Sequence, residues 1–335
     1  MKIAVNATGQ LIHINQVKEN QVYRCPECRK ILMIKVSQKG TKYFAHQRSD
    51  GKSHRESIEH IQGKYQIYEW AKSKGWCPQL EVWLPSINQR ADVLCNIAGR
   101  QVAFEFQCSP LSLQAIKIRN HGYQLSNISF YWFLGQRYLK KIHPSKTAQF
   151  TQIYHNQPVL YFWNVNTNNL RIKHLQNNTK HILKARRETR QLRRFCFNNI
   201  HRHHLAQLAY QHGHILGCCP LFVHEINNQL PLLKQGTPEW CIYSLLKLEM
   251  YSVNTSFTIK QWRHLLISLG EWNEFPCLIN GELERIRDSL MSEWTVILQK
   301  HGILETRQNS CIIKRKPVWF NNIDQKMMAI KISHY

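Results

Sequence analysis

The chain has 335 residues, with 45 Lys+Arg against 21 Asp+Glu, a formal charge of +24, and 43% hydrophobic and 11% aromatic residues. That much apolar material can bury a core, which excludes a disordered basic tail, and the length predicts two or three domains. The longest apolar runs, such as Ile128 to Gly135, fall short of the roughly 18 residues of a membrane span, and no signal-type apolar region opens the chain, so a soluble cytoplasmic protein is expected. The 11 cysteines are scattered without the even spacing of a secreted disulfide scaffold, which fits a reducing compartment.

The charge is unevenly placed. Residues 1–105 carry 16 Lys+Arg and 9 acids, residues 106–224 carry 16 and 1, and residues 225–335 carry 13 and 11. Between Glu105 and Glu225 the sole acid is Glu188, so the middle third presents a surface of one sign that attracts polyanions, nucleic acid first. A membrane surface is the competing partner, but the stretch Lys184 to Arg194 lacks the clear apolar face of an interfacial helix. Within it Lys184, Arg186, Arg187, Arg190, Arg193 and Arg194 are the expected DNA contacts; a solvated charged helix is the plainer reading of the run alone.

In chain order, Ile3 to Ile14 reads as a small hairpin, and Ile31 to Val36 and Lys42 to Ala45 as two further short strands, giving a β-rich module over residues 1–52. From Ser53 the spacing is helical, with Ile58, Ile61, Tyr65, Tyr68 and Ala71 on one face until Gly75. Strands are predicted at Leu80 to Leu84, Arg90 to Cys95 and Gln101 to Gln107, a helix over Ser109 to His121 with Ser109 as N-cap and Pro110 first inside, and a strand at Ile128 to Leu134. Residues 53–150 thus form an α/β domain in the order helix, three strands, helix, strand. A basic connecting region, 151–216, contains a strand pair (Val159 to Val165, Leu170 to Ile172) and the basic helix; a helical domain occupies 217–335, opened by the proline-rich stretch Gly217 to Pro238.

Two groups of residues carry chemistry. Glu105 and Gln107, two apart in a strand, share a face, and an adjacent strand brings Asp92 beside Glu105. Glu56, His60 and Lys64, four apart, make one polar stripe on the preceding helix. Three converging carboxylates, Glu56, Asp92 and Glu105, repel one another unless a divalent cation neutralises them, and oxygen donors of this kind suit magnesium or manganese. The plainer reading is a surface ion pair of Asp92 or Glu105 with Arg90 or Arg100, and a hydrogen-bonded orienting role for His60. The second group is Cys25–Pro26–Glu27–Cys28, with His46 and His54 as the remaining ligands of a structural zinc site; two buried thiols, or a site that has lost its metal, is the alternative. His201, His203, His204, His212, His214, Cys218 and Cys219 are rich in ligand types but fit no closed zinc spacing, and are read as partly protonated residues beside a phosphate surface.

The pattern Glu56–Ser57, His60, Lys64, then Arg90–Ala91–Asp92–Val93, then Glu105–Phe106–Gln107–Cys108–Ser109–Pro110–Leu111–Ser112 resembles the competence protein CoiA family. The resemblance implies a restriction-endonuclease-like PD-(D/E)XK core, whose order of elements is helix, three strands, helix, strand. It further implies metal-site acids at Glu56, Asp92 and Glu105, with Gln107 in the slot usually held by lysine. Gln can only hydrogen-bond where lysine would orient water or stabilise charge, and Lys64 is the candidate to supply that cation. The implied activity is that of a metal-dependent nuclease acting on DNA, as single strands, internalised in natural transformation, before or during recombination. The alternative is a non-catalytic DNA-binding adaptor that keeps the fold and recruits a recombinase or helicase through the near-neutral C-terminal third.

Overall fold

The computed structural model describes residues 3–18, 20–25, 29–36, 40, 42–46, 57–175, 181–197, 203–227, 230–279 and 281–332. The chain forms two units, Met1–His143 with Val159–His174, and Pro144–Pro158 with Leu175–Tyr335. Glu56, Cys28 and His54, expected as ligands, and His201 lie outside the described residues.

The first unit opens with an antiparallel sheet of β1 (Ile3–Val5), β2 (Leu11–His13), β3 (Tyr23–Arg24), β4 (Ile31–Val36) and β5 (Lys42–His46), in the order β2-β1-β3-β4-β5. Its short alternating strands leave one face for a small core of Ala4, Ile14, Tyr23, Cys25, Leu32 and Phe44.

Next comes α1 (Ile58–Ser73), whose N-terminus is capped by the Ser57 hydroxyl accepting the His60 N–H. Gly75, at φ 74°, takes the left-handed conformation that stops the helix where the sequence predicted. The antiparallel strands β6 (Gln79–Leu84), β7 (Gln89–Ile97) and β8 (Arg100–Gln107) come after it, then α2 (Leu113–Leu125) and β9 (Ser129–Leu134), which runs parallel to β8. Helix α2 starts three residues later than predicted, because Ser109 is engaged elsewhere. Its carbonyl accepts the Gln107 amide at 2.6 Å and the Tyr138 hydroxyl at 2.8 Å, and Ser112 becomes the cap.

The strand pair assigned to a connecting region belongs to this unit. β10 (Gln157–Asn164) pairs parallel with β9 through Tyr161↔Phe133 and Phe162↔Leu134, and β11 (Asn169–His174) pairs antiparallel with β10. Among the strands of this unit the order is therefore β11-β10-β9-β8-β7-β6. One face buries Val93, Phe104, Phe106, Phe133, Tyr161 and Trp163 with Ile67 and Ala71 of α1; Ala91, Leu94 and Ala103 pack with Tyr123 of α2.

The second unit carries α3 (His181–Phe197), α4 (His204–Gln211), α5 (Thr237–Glu249), β12 (Ser256–Thr258), α6 (Ile259–Ser268), α7 (Glu282–Lys300), the hairpin β13 (Leu304–Arg307) and β14 (Ser310–Ile313), and α8 (Ile323–Ile332). Three indoles tie α5, α6 and α7 in a ring. Trp240 donates to the Leu266 carbonyl at 2.9 Å, Trp262 to the Thr295 hydroxyl at 2.9 Å, and Trp294 to the Ser244 hydroxyl at 2.8 Å, so each large buried ring also satisfies its N–H. No described helix is long and apolar enough to cross a membrane.

The seat of α1 on the sheet depends on Gly63. A β-carbon there would meet the Phe106 ring at 2.2 Å, and Phe106 is buried. Gly63→Ala gains about 1 kcal/mol of helix propensity but overpacks this contact at a cost of about 1–3 kcal/mol. Urea unfolding is expected to show a net loss of stability, whereas Gly75→Asn, at the open left-handed end of α1, leaves it nearly unchanged.

Candidate active site

The ladder between β7 and β8 is regular from Ile97↔Arg100 to Val93↔Phe104, and then opens. Beyond it the Phe106 backbone is served by side chains: its N–H donates to Asp92 Oδ2 at 2.9 Å, and its carbonyl lies 2.5 Å from His60 Nε2. A carbonyl only accepts, so Nε2 carries the proton. The same nitrogen lies 3.5 Å from Asp92 Oδ2, and the imidazole stacks on the Phe106 ring at 5.7 Å.

The register aligns acids across three strands. Leu80↔Val93 and Val82↔Ala91 put Glu81 level with Asp92, and Val93↔Phe104 puts Asp92 level with Glu105. Buried like charges this close disfavour ionisation, and each of these acids meets a base. Glu81, at φ 53°, pairs with Lys64 of α1 and lies 3.6 Å from Arg90. Asp92 meets His60 of the same helix. Glu105, 3% exposed, turns toward α2, where Arg119 Nη2 donates to its two oxygens at 2.6 and 2.7 Å and the Tyr123 hydroxyl donates to Oε1. Arg119 also donates to the Arg90 carbonyl at 2.7 Å.

These surroundings push the carboxyls apart. Burial alone would raise Asp92, but the His60 hydrogen bond, the Lys64 and His60 charges and the Phe106 N–H outweigh it and hold it at about 2. Burial, and then the neighbouring Asp92 charge, push Glu105 up to about 7, against the pull of Arg119 and Tyr123. Burial also works against the Arg119 charge, but Glu105 and Tyr123 more than offset it, so the guanidinium is held charged.

The structure thus brings His60, Lys64, Asp92 and Glu105 together around one row, with Asp92 on the α1 side and Glu105 on the α2 side. Gln107 is not aimed at Asp92; its amide donates to the carbonyl and hydroxyl of Ser109 at 2.6 and 3.1 Å. Sequence reasoning missed Glu81, Arg119 and Tyr123. Glu81 was legible by the argument that found Glu105, an acid inside an apolar strand. Arg119 and Tyr123, four apart on α2, share a face but merged with the general basic excess. Hard oxygens, the Asp92 and Glu105 carboxylates and the Phe106 carbonyl, fit magnesium or manganese by donor type. Among the described residues no three His, Cys, Asp or Glu side chains are grouped as a metal site requires.

Elsewhere the predicted site residues divide. On α3, Arg187, Arg190, Arg193 and Arg194 are exposed and Arg186 is half-buried. Lys184 is turned inward, 9% exposed, donating to the Ile226 carbonyl and lying 4.0 Å from Glu188. Cys25 is buried in the N-terminal core and His46 ends β5 half-buried. The histidine cluster disperses onto acids of its own unit: His203 lies 3.7 Å from Glu239, and His212 and His214 lie 3.5 and 3.0 Å from Glu249.

Two family models match this chain: competence protein CoiA, nuclease-like domain, over residues 56–208, and competence protein CoiA, N-terminal domain, over residues 9–53. The chain belongs to the CoiA family. Competence protein CoiA of Bacillus subtilis (strain 168) is 31% identical over 130 residues, which are 38% of this chain and 35% of that protein; the match spans about a third of the relative's length. No solved structure matches. The nuclease-like domain of the CoiA family therefore includes α1, α2 and the whole acid row.

Titration of the row has a defined sign. Asp92, lowered from 3.8 to about 2, stabilises the fold above pH 4 by about 2 kcal/mol, lost as pH falls through 2. Glu105, raised from 4.5 to about 7, acts oppositely: its contribution is complete below its unfolded value and is lost as pH rises through 7, by about 3 kcal/mol. Urea unfolding between pH 5 and 8 should show stability declining more steeply in the wild type than in Glu105→Gln.

Proposed function

We propose that this protein is a metal-dependent deoxyribonuclease with a PD-(D/E)XK core, acting in the cytoplasm on single-stranded DNA internalised during natural transformation, before or during its recombination. The observation that carries this reading is Asp92, a carboxylate kept anionic at the opened edge between β7 and β8, in one row with Glu105 and bordered by His60 and Lys64. The order helix, three antiparallel strands, helix, parallel strand supports the core assignment.

Asp92, Glu105 and Glu56 would hold magnesium or manganese. A divalent cation supplies charge neutralisation at a phosphodiester and makes water a better nucleophile. The protein's own groups do the rest. His60 donates from Nε2 to the Phe106 carbonyl and so fixes the strand that carries Glu105. Lys64, buried against Glu81, contributes the positive charge that Gln107 lacks. Arg186, Arg187, Arg190, Arg193 and Arg194 of α3 contact the DNA backbone, an interaction that weakens as salt rises. In the N-terminal module Cys25, Cys28, His46 and His54 would hold a structural zinc. A recombinase or another recombination protein would dock on the C-terminal part, where charge is nearly balanced.

The second reading, an adaptor that binds DNA without cutting it, is favoured by the Arg119 and Tyr123 bonds that occupy Glu105 and by the Gln107 amide held at Ser109.

Purified protein incubated with labelled single-stranded, duplex and branched DNA, with and without manganese, separates the two. The nuclease reading predicts metal-dependent cleavage that falls by at least about 100-fold in Asp92→Ala, the scale of losing a charge-stabilising group, while salt-sensitive binding persists. Equal cleavage by Asp92→Ala overturns the site assignment. Tight binding with no cleavage of any substrate establishes the adaptor.

A further inference from the structure

In the second unit a closed set of ionisable groups lies apart from the acid row. Lys326, on α8, is fully buried, as is Cys219; His224 is 2% exposed. The Lys326 ammonium has three N–H bonds and three neighbours at 3.1 Å: the Gly217 carbonyl, His224 Nε2 and Cys219 Sγ. His224 Nδ1 lies 2.8 Å from Glu188 Oε2. Its proton goes to that carboxylate, which leaves Nε2 as an acceptor for Lys326. Among the described residues no carboxylate touches the ammonium, so its sulfur neighbour is the group able to balance it.

Charge counting agrees. A buried ion without a counter-ion is strongly unfavourable. Glu188 is matched by Lys184 at 4.0 Å, leaving Lys326 to be matched by a Cys219 thiolate. Burial pushes this thiol up, and the Lys326 charge and its N–H bond to sulfur pull it down, whereas Cys241, buried nearby, is driven well above its ordinary value. Thiolate character and access to oxidant together decide which cysteine oxidises. Lys184 and Glu188 also line a cavity of about 590 Å³; Glu188 touches His224 at 2.8 Å, so the cavity ends two side chains from Cys219, and a molecule as small as hydrogen peroxide reaches the sulfur when these side chains move.

We propose that Cys219 and Lys326 are an oxidation site at which hydrogen peroxide joins them by a reversible sulfur–nitrogen bond. The Cys219 thiolate attacks one peroxide oxygen; the O–O bond breaks, sulfur is oxidised to the sulfenic acid, and the departing hydroxide takes a proton from the Lys326 ammonium to form water. The amine so produced, already at 3.1 Å, attacks sulfur. The S–O bond breaks, hydroxide leaves with a proton from the nitrogen as a second water, and a sulfenamide links the side chains. One thiolate, one ammonium and one peroxide become one S–N bond and two waters. Two equivalents of an external thiol return the free pair and a disulfide of that thiol. The bond staples α8 to the chain around Cys219.

The test treats the intact protein with hydrogen peroxide, digests it under non-reducing conditions and reads peptides by mass spectrometry. A peptide pair containing Cys219 and Lys326, lighter than the sum of its parts by two hydrogen atoms and separated by dithiothreitol, is expected. Lys326→Arg keeps the charge but removes the nucleophilic amine; there the sulfenic acid accumulates and dimedone labels Cys219, with no linked pair. Exposed Cys77 reports that oxidant was present. Separate peptides and unmodified Cys219 in the wild type, with Cys77 oxidised, overturn the proposal. So does a wild type in which Cys219 takes up dimedone and never links.

Discussion

A row of carboxylates across three adjacent strands is the constraint around which the first unit is built. Glu81, Asp92 and Glu105 stand level on β6, β7 and β8, the first two turned to α1 and the third to α2, and buried acids this close need compensating charge. The compensation comes from both layers of helix: Lys64 and His60 from α1, Arg119 from α2. Each helix must therefore sit close to the sheet and in one register along it. Gly63 gives α1 that approach by leaving room for the Phe106 ring, and the caps at Ser57 and Ser112 fix where each helix starts.

The row also explains the break in the β7–β8 ladder. Asp92 and His60 take over the hydrogen bonds of the Phe106 backbone, so the strands can part without leaving buried polar groups unmet. The edge so produced combines hard oxygen donors with nearby cations, the kind of surface at which a phosphodiester and a divalent ion can meet. The same pairing has a cost for chemistry. Glu105 is engaged by Arg119 and Tyr123, and binding a second cation there means exchanging one partner for another.

Much of this was legible in the sequence. Helical spacing and Gly75 marked α1, β-branched and aromatic runs marked β9, and acids inside apolar strands marked Asp92 and Glu105. What could not be read was who meets whom. Ser109 looks like a cap, and its carbonyl's engagement with Gln107 and Tyr138 is visible only in three dimensions. Val159 to Val165 reads as a strand, but nothing in a strand names its parallel partner. Lys184 looks like part of a basic face because its neighbours are arginines, whereas burial and Glu188 give it another role.

The central claim is that the acid row is a divalent-cation site centred on Asp92. Its most direct test is calorimetric titration of manganese into the wild type and Asp92→Asn, at neutral pH. The account predicts binding by the wild type that is lost in Asp92→Asn. Equal affinity in the two proteins, or no binding by the wild type, would contradict it.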